Sequence, residues 1–271
     1  MPEGHTLHRL ALLHRERFVG AAVRVSSPQG RFAEGAALID GRVLTGSEAH
    51  GKHLLHHYES GVTVHIHLGL YGKFYDSDLP MAAPVGQVRM RMIGAGERGD
   101  SGFGTDLRGP NACEILTPPE VEALAGRLGA DPLRADADPE QPLRRIRRSR
   151  RPIGALLMDQ AVIAGVGNVY RAEVLFRHGI SPYRPGSGVS AEEWGAIWAD
   201  LVELMPVGVA TGLMHVVRAE HDHGEPSYAP DRPRTYVYRR AGAACRVCGA
   251  TVVHAVLEGR NLFWCPGCQS G

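Results

Sequence analysis

Four cysteines near the end of the chain restrict its folding more than any other feature. Cys245 and Cys248 are two residues apart, as are Cys265 and Cys268, and sixteen residues separate the pairs. Two such knuckles can set four thiolates in a tetrahedron around one zinc ion. With every ligand a protein thiolate, no position stays open for water, so this metal would fold a hairpin and take no part in a reaction. Residues 236–271 therefore read as a short module built on one structural zinc per chain. Its hairpin tip carries Gly259-Arg260-Asn261, where Arg260 is placed to grip a phosphate. The remaining cysteine, Cys113, reads as a buried thiol.

The chain has 271 residues, 44% of them apolar and 22% charged. That suits a globular protein of about two ordinary domains. No stretch approaches the roughly 18 apolar residues of a membrane span. The beginning lacks the basic start and apolar run of a secretory signal, and paired cysteines in zinc spacing fit a reducing compartment. A cytoplasmic location, with no membrane partner, is expected. Net charge is +1, which looks unsuited to nucleic acid until the charge is located. Residues 144–151, RRIRRSRR, hold six arginines, and residues 232–271 hold six arginines against one acid, Glu258. Local basic patches on a neutral background can track a phosphate backbone. Only two of the 30 basic residues are lysine, Lys52 and Lys73, so a lysine kept here suggests a need for a compact ammonium.

Residues 5–18, HTLHRLALLHRERF, place Leu7, Leu10, Ala11, His14 and Phe18 at helical spacing. Residues 20–116 read as short strands, AAVRVSS, GRVLTGSE, HLLHHY, VTVHIHLG, QVRMRMIG and CEIL, divided by glycine-rich turns, which suggests a sandwich or barrel. RGDSGFG at 98–104 reads as a flexible loop. Pro118-Pro119 can open a helix through EVEALAGRLG. The proline- and aspartate-rich stretch 131–142 reads as a linker. Beyond it, PIGALLMDQAVI, NVYRAEVLFRHG and AEEWGAIWADLVELMPVGVATG read as helices. The last carries Trp194, Trp198, Leu201 and Met205 along one side. The expected division is 1–130, 131–151 as linker and start of a helical domain, 152–230, and 236–271.

The beginning, Met1-Pro2-Glu3, carries the sharpest chemical hint. A small residue after methionine normally permits its removal, which would leave Pro2 with a free secondary amine. Such an amine forms a cationic iminium with a sugar aldehyde carbon directly, a covalent route of the Schiff-base type. Glu3 is a candidate proton carrier beside it, and a helix beginning next to Pro2 would favour the uncharged amine. The turn Gly165-Val166-Gly167-Asn168 opens a helix with free backbone N–H groups, an anion site. Asn168 can cap that helix or donate its amide to a phosphate, and Glu173 reads as serving the helix dipole. Lys52 sits at a turn entering a strand. Leu70 and Tyr71, at a strand end, are candidates to wedge into a base stack. His65 and His67 read as packed or hydrogen-bonded rather than metal-binding.

Taken together these segments resemble the formamidopyrimidine-DNA glycosylase/endonuclease VIII family, and most closely its actinobacterial endonuclease VIII-like group. The residues that carry the resemblance are Pro2-Glu3-Gly4, Gly51-Lys52-His53, His67 to Gly72, Asp159-Gln160 through Tyr170, and Cys245 through Cys265. The resemblance implies an α+β, multidomain fold: an N-terminal β-sandwich with flanking helices, a helix–two-turn–helix domain and a C-terminal zinc-finger hairpin. It implies a monomeric bifunctional DNA glycosylase/AP lyase of base excision repair, acting on damaged double-stranded DNA in the bacterial nucleoid. Pro2 would be the nucleophile and Glu3 the proton donor. Lys52, Asn168 and Arg260 would bind phosphates near the lesion, and Leu70 and Tyr71 would fill the gap left by the flipped nucleotide. The guanine-directed branch has an aromatic where this chain reads Asp106-Leu107-Arg108-Gly109-Pro110. That favours oxidised pyrimidines, with Arg108 touching the opposite strand. The alternatives are a sister enzyme preferring 8-oxoguanine or formamidopyrimidine, and a non-catalytic zinc-finger DNA-binding protein.

Overall fold

The computed structural model describes residues 2–94, 102–224, 227, 232 and 234–270. The chain divides into two compact units, Met1–Arg127 and Leu128–Gly271. No helix among the described residues is long and apolar enough to cross a membrane. A sheet domain, a helical segment and a C-terminal hairpin are present in the order expected, and the helical segment departs from the expectation in two stretches.

Unit 1 opens with helix α1 (Gly4–Phe18). Leu7, Ala11, His14 and Phe18 recur on one face and are buried. Helix α2 (Ala33–Ile39) buries Ala36 and Ile39. The strands are β1 (Ala22–Ser26), β2 (Arg42–His50), β3 (His53–Tyr58), β4 (Thr63–His67), β5 (Lys73–Asp78), β6 (Val88–Gly94), β7 (Phe103–Arg108) and β8 (Ala112–Leu116). They run antiparallel in the order β5-β7-β6-β1-β2-β3-β4-β8. Only two residue pairs join β1 to β2, so the array folds there into two layers. Val23, Val25, Met90 and Met92 from one layer and Leu54, Val64 and Ile66 from the other share a core with α1 and α2. Gly94 is required by that packing, since a Cβ on it would lie 2.7 Å from the Phe18 ring. Helix α3 (Pro118–Arg127) closes the unit.

Two strands and α2 do not stand out in the sequence. β5 and β7 lack apolar alternation and are joined through polar groups. Thr105 donates to Asp76 at 2.7 Å, and Arg91 grips the Asp106 carboxylate through two hydrogen bonds of 2.7 and 2.8 Å. Of the expected loop at 98–104, residues 98–101 lie outside the described residues. Phe103 and Gly104 begin β7.

In unit 2 the stretch read as a linker is a set of turns held to the core. Asp131 is buried, its carboxylate accepts from Leu133 N–H at 3.0 Å, and helix α4 (Glu140–Arg147) begins within the stretch. The helix expected over PIGALLMDQAVI is only α5 (Ile153–Leu156). Turns follow because Asp159 and Gln160 divert side-chain and backbone bonds into the next loop. Helix α6 (Asn168–Arg177) is buried along nearly its whole length. Helix α7 (Ala191–Thr211) starts at a capping box, Ser190 with Glu193, and stops at left-handed Gly212. Trp194, Leu201 and Met205 of α7 join Val169, Tyr170 and Val174 of α6 in one core. Strands β9 (Val253–Leu257) and β10 (Arg260–Trp264) form the last hairpin, packed on α6 through Phe176, Val252 and Cys265.

Candidate active site and phosphate-binding residues

In unit 1 the pattern of strand pairing gathers the candidate residues at one end. Gly20 N–H bonds to Leu44 O at 2.8 Å and Arg15 to Ser47 O at 2.8 Å, so α1 runs antiparallel to β2. The helix from Arg15 back to Gly4 spans about 16 Å, and Ser47 to His50 only about 10 Å. The start of the helix is thereby carried toward the β2–β3 turn of Gly51 and Lys52. Glu3 occupies the N-cap position, accepts from Thr6 N–H at 2.9 Å through its carbonyl, and has no solvent exposure. Pro2 precedes it and is half-buried. Met1 lies outside the described residues, and with it the expected removal of that residue.

Leu54 pairs with Ile66, so β4 ends beside the start of β3 and delivers the following loop to the same end. There Leu70 is 47% and Tyr71 86% exposed, so neither belongs to the core. The loop is held by Gly72 N–H to Leu68 O at 2.9 Å and Asn111 N–H to His67 O at 2.8 Å. Gly69 has φ +65°, and a Cβ there would collide with the Asn111 side chain. Arg108 pairs with Lys73, the first residue after the loop, and lies over the Tyr75 ring at 4.9 Å. Pro2, Glu3, Lys52, Leu70, Tyr71 and Arg108 thus share one end of the sandwich.

Histidines surround this end. His65 is bonded at both ring nitrogens, to His53 at 2.8 Å and to Glu114 at 2.9 Å. Burial, then the neighbouring His65, push the His53 imidazole down to about 3. His67 is lowered by burial, by His65 and by Lys52. Among the described residues, no three histidines or acids converge as metal ligands in this unit. Cys113 is buried and its thiol is pushed up to about 12 by that burial.

In unit 2 the loop before α6 is tied by Gln160, whose side chain accepts from Gly165 N–H at 3.1 Å and donates to Val166 O at 3.0 Å. Gly167, not Asn168, occupies the N-cap. Asn168 is the first helical residue and is buried, and its Oδ1 accepts a hydrogen bond from Arg171. That bond turns the amide NH2 end away from Arg171. Arg171 is fully buried and also donates to Gly154 O at 2.9 Å and Asn261 O at 2.8 Å. One guanidinium therefore ties the loop-helix start to the hairpin residue beside Arg260. Arg260 is exposed, and among the described residues no acid pairs with it. The nearby Glu258 carboxylate is held by Arg151 at 2.7 Å.

Glu173 does not act at the surface of a helix end. It is wholly buried and accepts from the N–H groups of Tyr236, Val237 and Tyr238 at 2.7, 3.1 and 2.8 Å. Burial raises its pKa against the pull of those donors. Arg171, Glu173 and Gln160 were not singled out as framework residues from sequence. Their one signal was charge and amide groups inside otherwise apolar helical runs.

The four cysteine sulfurs lie within 4.8 Å of one another, with Cys245–Cys268 at 3.8 Å and Cys248–Cys265 at 3.4 Å. Zn–S bonds of about 2.3 Å in a tetrahedron place sulfurs about 3.8 Å apart. The donor set fits one structural zinc, held by Cys245, Cys248, Cys265 and Cys268.

Comparison with known proteins agrees with this arrangement in order and extent. Residues 1–109 match the formamidopyrimidine-DNA glycosylase N-terminal domain, 128–218 the formamidopyrimidine-DNA glycosylase H2TH domain, and 242–271 a zinc finger found in FPG and IleRS. The chain is 62% identical over 274 residues to endonuclease 8 1 of Mycobacterium tuberculosis, covering all of both chains. It is 31% identical to a probable endonuclease 8 2 of Streptomyces coelicolor, covering 100% of this chain and 95% of that one. The crystal structure of the MutM (Fpg) protein of Thermus thermophilus superposes with a TM-score of 0.76 at 28% identity, covering 99% of each chain. A Lactococcus lactis formamidopyrimidine-DNA glycosylase, solved with DNA containing an AP site, shares the fold with a TM-score of 0.80 at 21% identity, covering 99% of this chain and 100% of that one.

Proposed function

The chain belongs to the formamidopyrimidine-DNA glycosylase family and is a DNA repair glycosylase, and on that premise we propose that it excises oxidised pyrimidines and then cuts the strand through an iminium on Pro2. The observation that carries this reading is the convergence of α1 and the β2–β3 turn. The reading is supported by Glu3 being fully buried at the N-cap of a helix that runs back toward the turn carrying Lys52.

The target sugar carbon is inside a duplex, so the damaged nucleotide must first leave the stack, which costs least for a weakened pair. Leu70 and Tyr71 occupy the vacated space, and Arg108 approaches the opposite strand. The Pro2 nitrogen lone pair then forms a bond to C1′ while the base departs with the glycosidic electrons and takes up the proton that the Pro2 nitrogen loses. Glu3 gives its proton to the ring oxygen as the C1′–O4′ bond opens, leaving an iminium. The iminium acidifies the C2′–H bond. Loss of that proton expels the 3′ phosphate, and a second elimination expels the 5′ phosphate. Water releases the sugar remnant and restores Pro2. The product is a one-nucleotide gap with phosphate ends. Lys52, Asn168 and Arg260 hold backbone phosphates during these steps.

The pyrimidine preference is supported by the full-length likeness to endonuclease 8 1 and by Asp106–Pro110, which lacks an aromatic residue. Borohydride trapping on duplexes carrying thymine glycol or 8-oxoguanine opposite cytosine tests both parts. A covalent adduct on thymine glycol, from protein whose mass lacks Met1, is expected. An adduct on 8-oxoguanine alone overturns the substrate. No adduct on either, from protein without Met1, overturns the Pro2 route in favour of a binding protein.

A further inference from the structure

Helix α4 and the segment after it carry a row of arginines that the site above does not use. The helix buries Pro142, Leu143 and Ile146 and turns Arg144, Arg145 and Arg147 outward, and Arg148 and Arg150 continue the exposed row. Asp138 pairs with Arg144 at 3.3 Å, and Asp159 and Glu258 are both taken by Arg151. Among the described residues no acid pairs with Arg145, Arg147, Arg148 or Arg150. Crowding unpaired like charges costs self-repulsion, which a polyanion would relieve.

The row is also held on fixed backbone. Ser187 N–H bonds to Ser149 O at 2.8 Å, Gly186 N–H to Arg151 O at 2.9 Å and Ile153 N–H to Arg184 O at 2.8 Å. Gly186 packs so closely that a Cβ would lie 2.5 Å from Ile146 O. At its far end, Arg151 reaches Glu258 at the hairpin tip, two residues before Arg260. Within this unit the row therefore ends beside the hairpin that carries Arg260.

We propose that Arg145, Arg147, Arg148 and Arg150 form a second phosphate-tracking surface that grips the duplex flanking the lesion. The proposal rests on the DNA glycosylase reading. Such contacts carry no sequence information and no chemistry. They lengthen the footprint and hold the enzyme on undamaged DNA.

The test compares wild type with a variant carrying glutamine at all four positions, and with one carrying lysine. Affinity for a duplex with an abasic-site analogue is measured against salt, on about 12 and about 40 base pairs; each phosphate contact adds about 0.9 to the logarithmic slope. On the long duplex the glutamine variant is expected to lose about 3 to 4 from the slope, roughly a hundredfold between 50 and 200 mM salt. The lysine variant keeps most of it. On the short duplex all three proteins agree. An unchanged slope on the long duplex overturns the proposal, as does an equal loss on both lengths, which would mark a general charge effect. Unchanged zinc content shows that the variants are folded. If wild type itself neither binds nor cleaves either duplex, the glycosylase reading fails instead.

Discussion

Acidification should destabilise unit 1 through one buried pair. His14 on α1 and His56 on β3 meet at 2.9 Å between Nδ1 and Nε2, and neither has any solvent exposure. The Phe18 and Phe74 rings stand 5.7 and 4.7 Å from His14. Burial pushes His14 from 6.5 down to about 4, and pushes His56 well below its ordinary value. Both folded values lie below the unfolded one. Stability from the neutral pair is therefore complete above about pH 6.5 and is lost as pH falls toward 4. For His14 alone, linkage between pH 7.5 and 5 amounts to about 2 kcal/mol, against a total stability of about 5–15 kcal/mol for a typical domain. The assay is urea unfolding of the full zinc-loaded chain at both pH values, for wild type and for a double variant, His14→Phe with His56→Leu. The variant loses packing at every pH, but its stability should fall less on acidification, by at least that amount. Zinc release acts on both proteins and cancels in the difference. Equal pH dependence in the two would refute the argument, as would an NMR titration of His14 near 6.5.

Glu173→Ala strands three buried N–H groups and should cost at least about 3 kcal/mol in urea unfolding; a loss under 1 kcal/mol would show that the 236–238 segment is held otherwise. Cys265→Ser should lower bound zinc below one per chain and unfold the β9–β10 hairpin, read by metal analysis and amide exchange. Arg260→Ala should reduce the salt slope of DNA binding by about 0.9, and an intact slope would remove that residue from phosphate contact; Asn168→Ala, which removes a neutral donor, should weaken binding at every salt concentration with the slope unchanged, and an unchanged affinity would remove it from phosphate contact. Glu3→Gln should abolish borohydride trapping while leaving DNA affinity nearly unchanged, and equal loss of both would assign Glu3 a structural role.

Much of the candidate site was legible because its signals are local. The cysteine spacing specifies a tetrathiolate within a hairpin whatever surrounds it. Glycines 165 and 167 specify a turn that opens a helix. The chemistry proposed for Pro2-Glu3 was read from the residue types themselves. The helix α1 was visible because its apolar residues recur every three to four positions, and the apolar strands because theirs alternate.

β5 and β7 were not legible, because their edges are secured by Arg91–Asp106 and Thr105–Asp76 rather than by an apolar stripe. Asn168 looked equally suited to capping a helix and to donating to a phosphate. Its orientation depends on Arg171, which answers in turn to carbonyls at Gly154 and Asn261. The same holds for His14 and Glu173, whose partners lie 42 and about 63 residues away. By itself the sequence determined the zinc hairpin, the helix start at the glycine turn and the reactive chemistry proposed for the first residues, because short covalent spacing settles local geometry. Only the tertiary structure decided which charged and polar groups are buried, what satisfies them and which candidates share one end of a sheet, because burial is repaid by partners that sequence distance does not reveal.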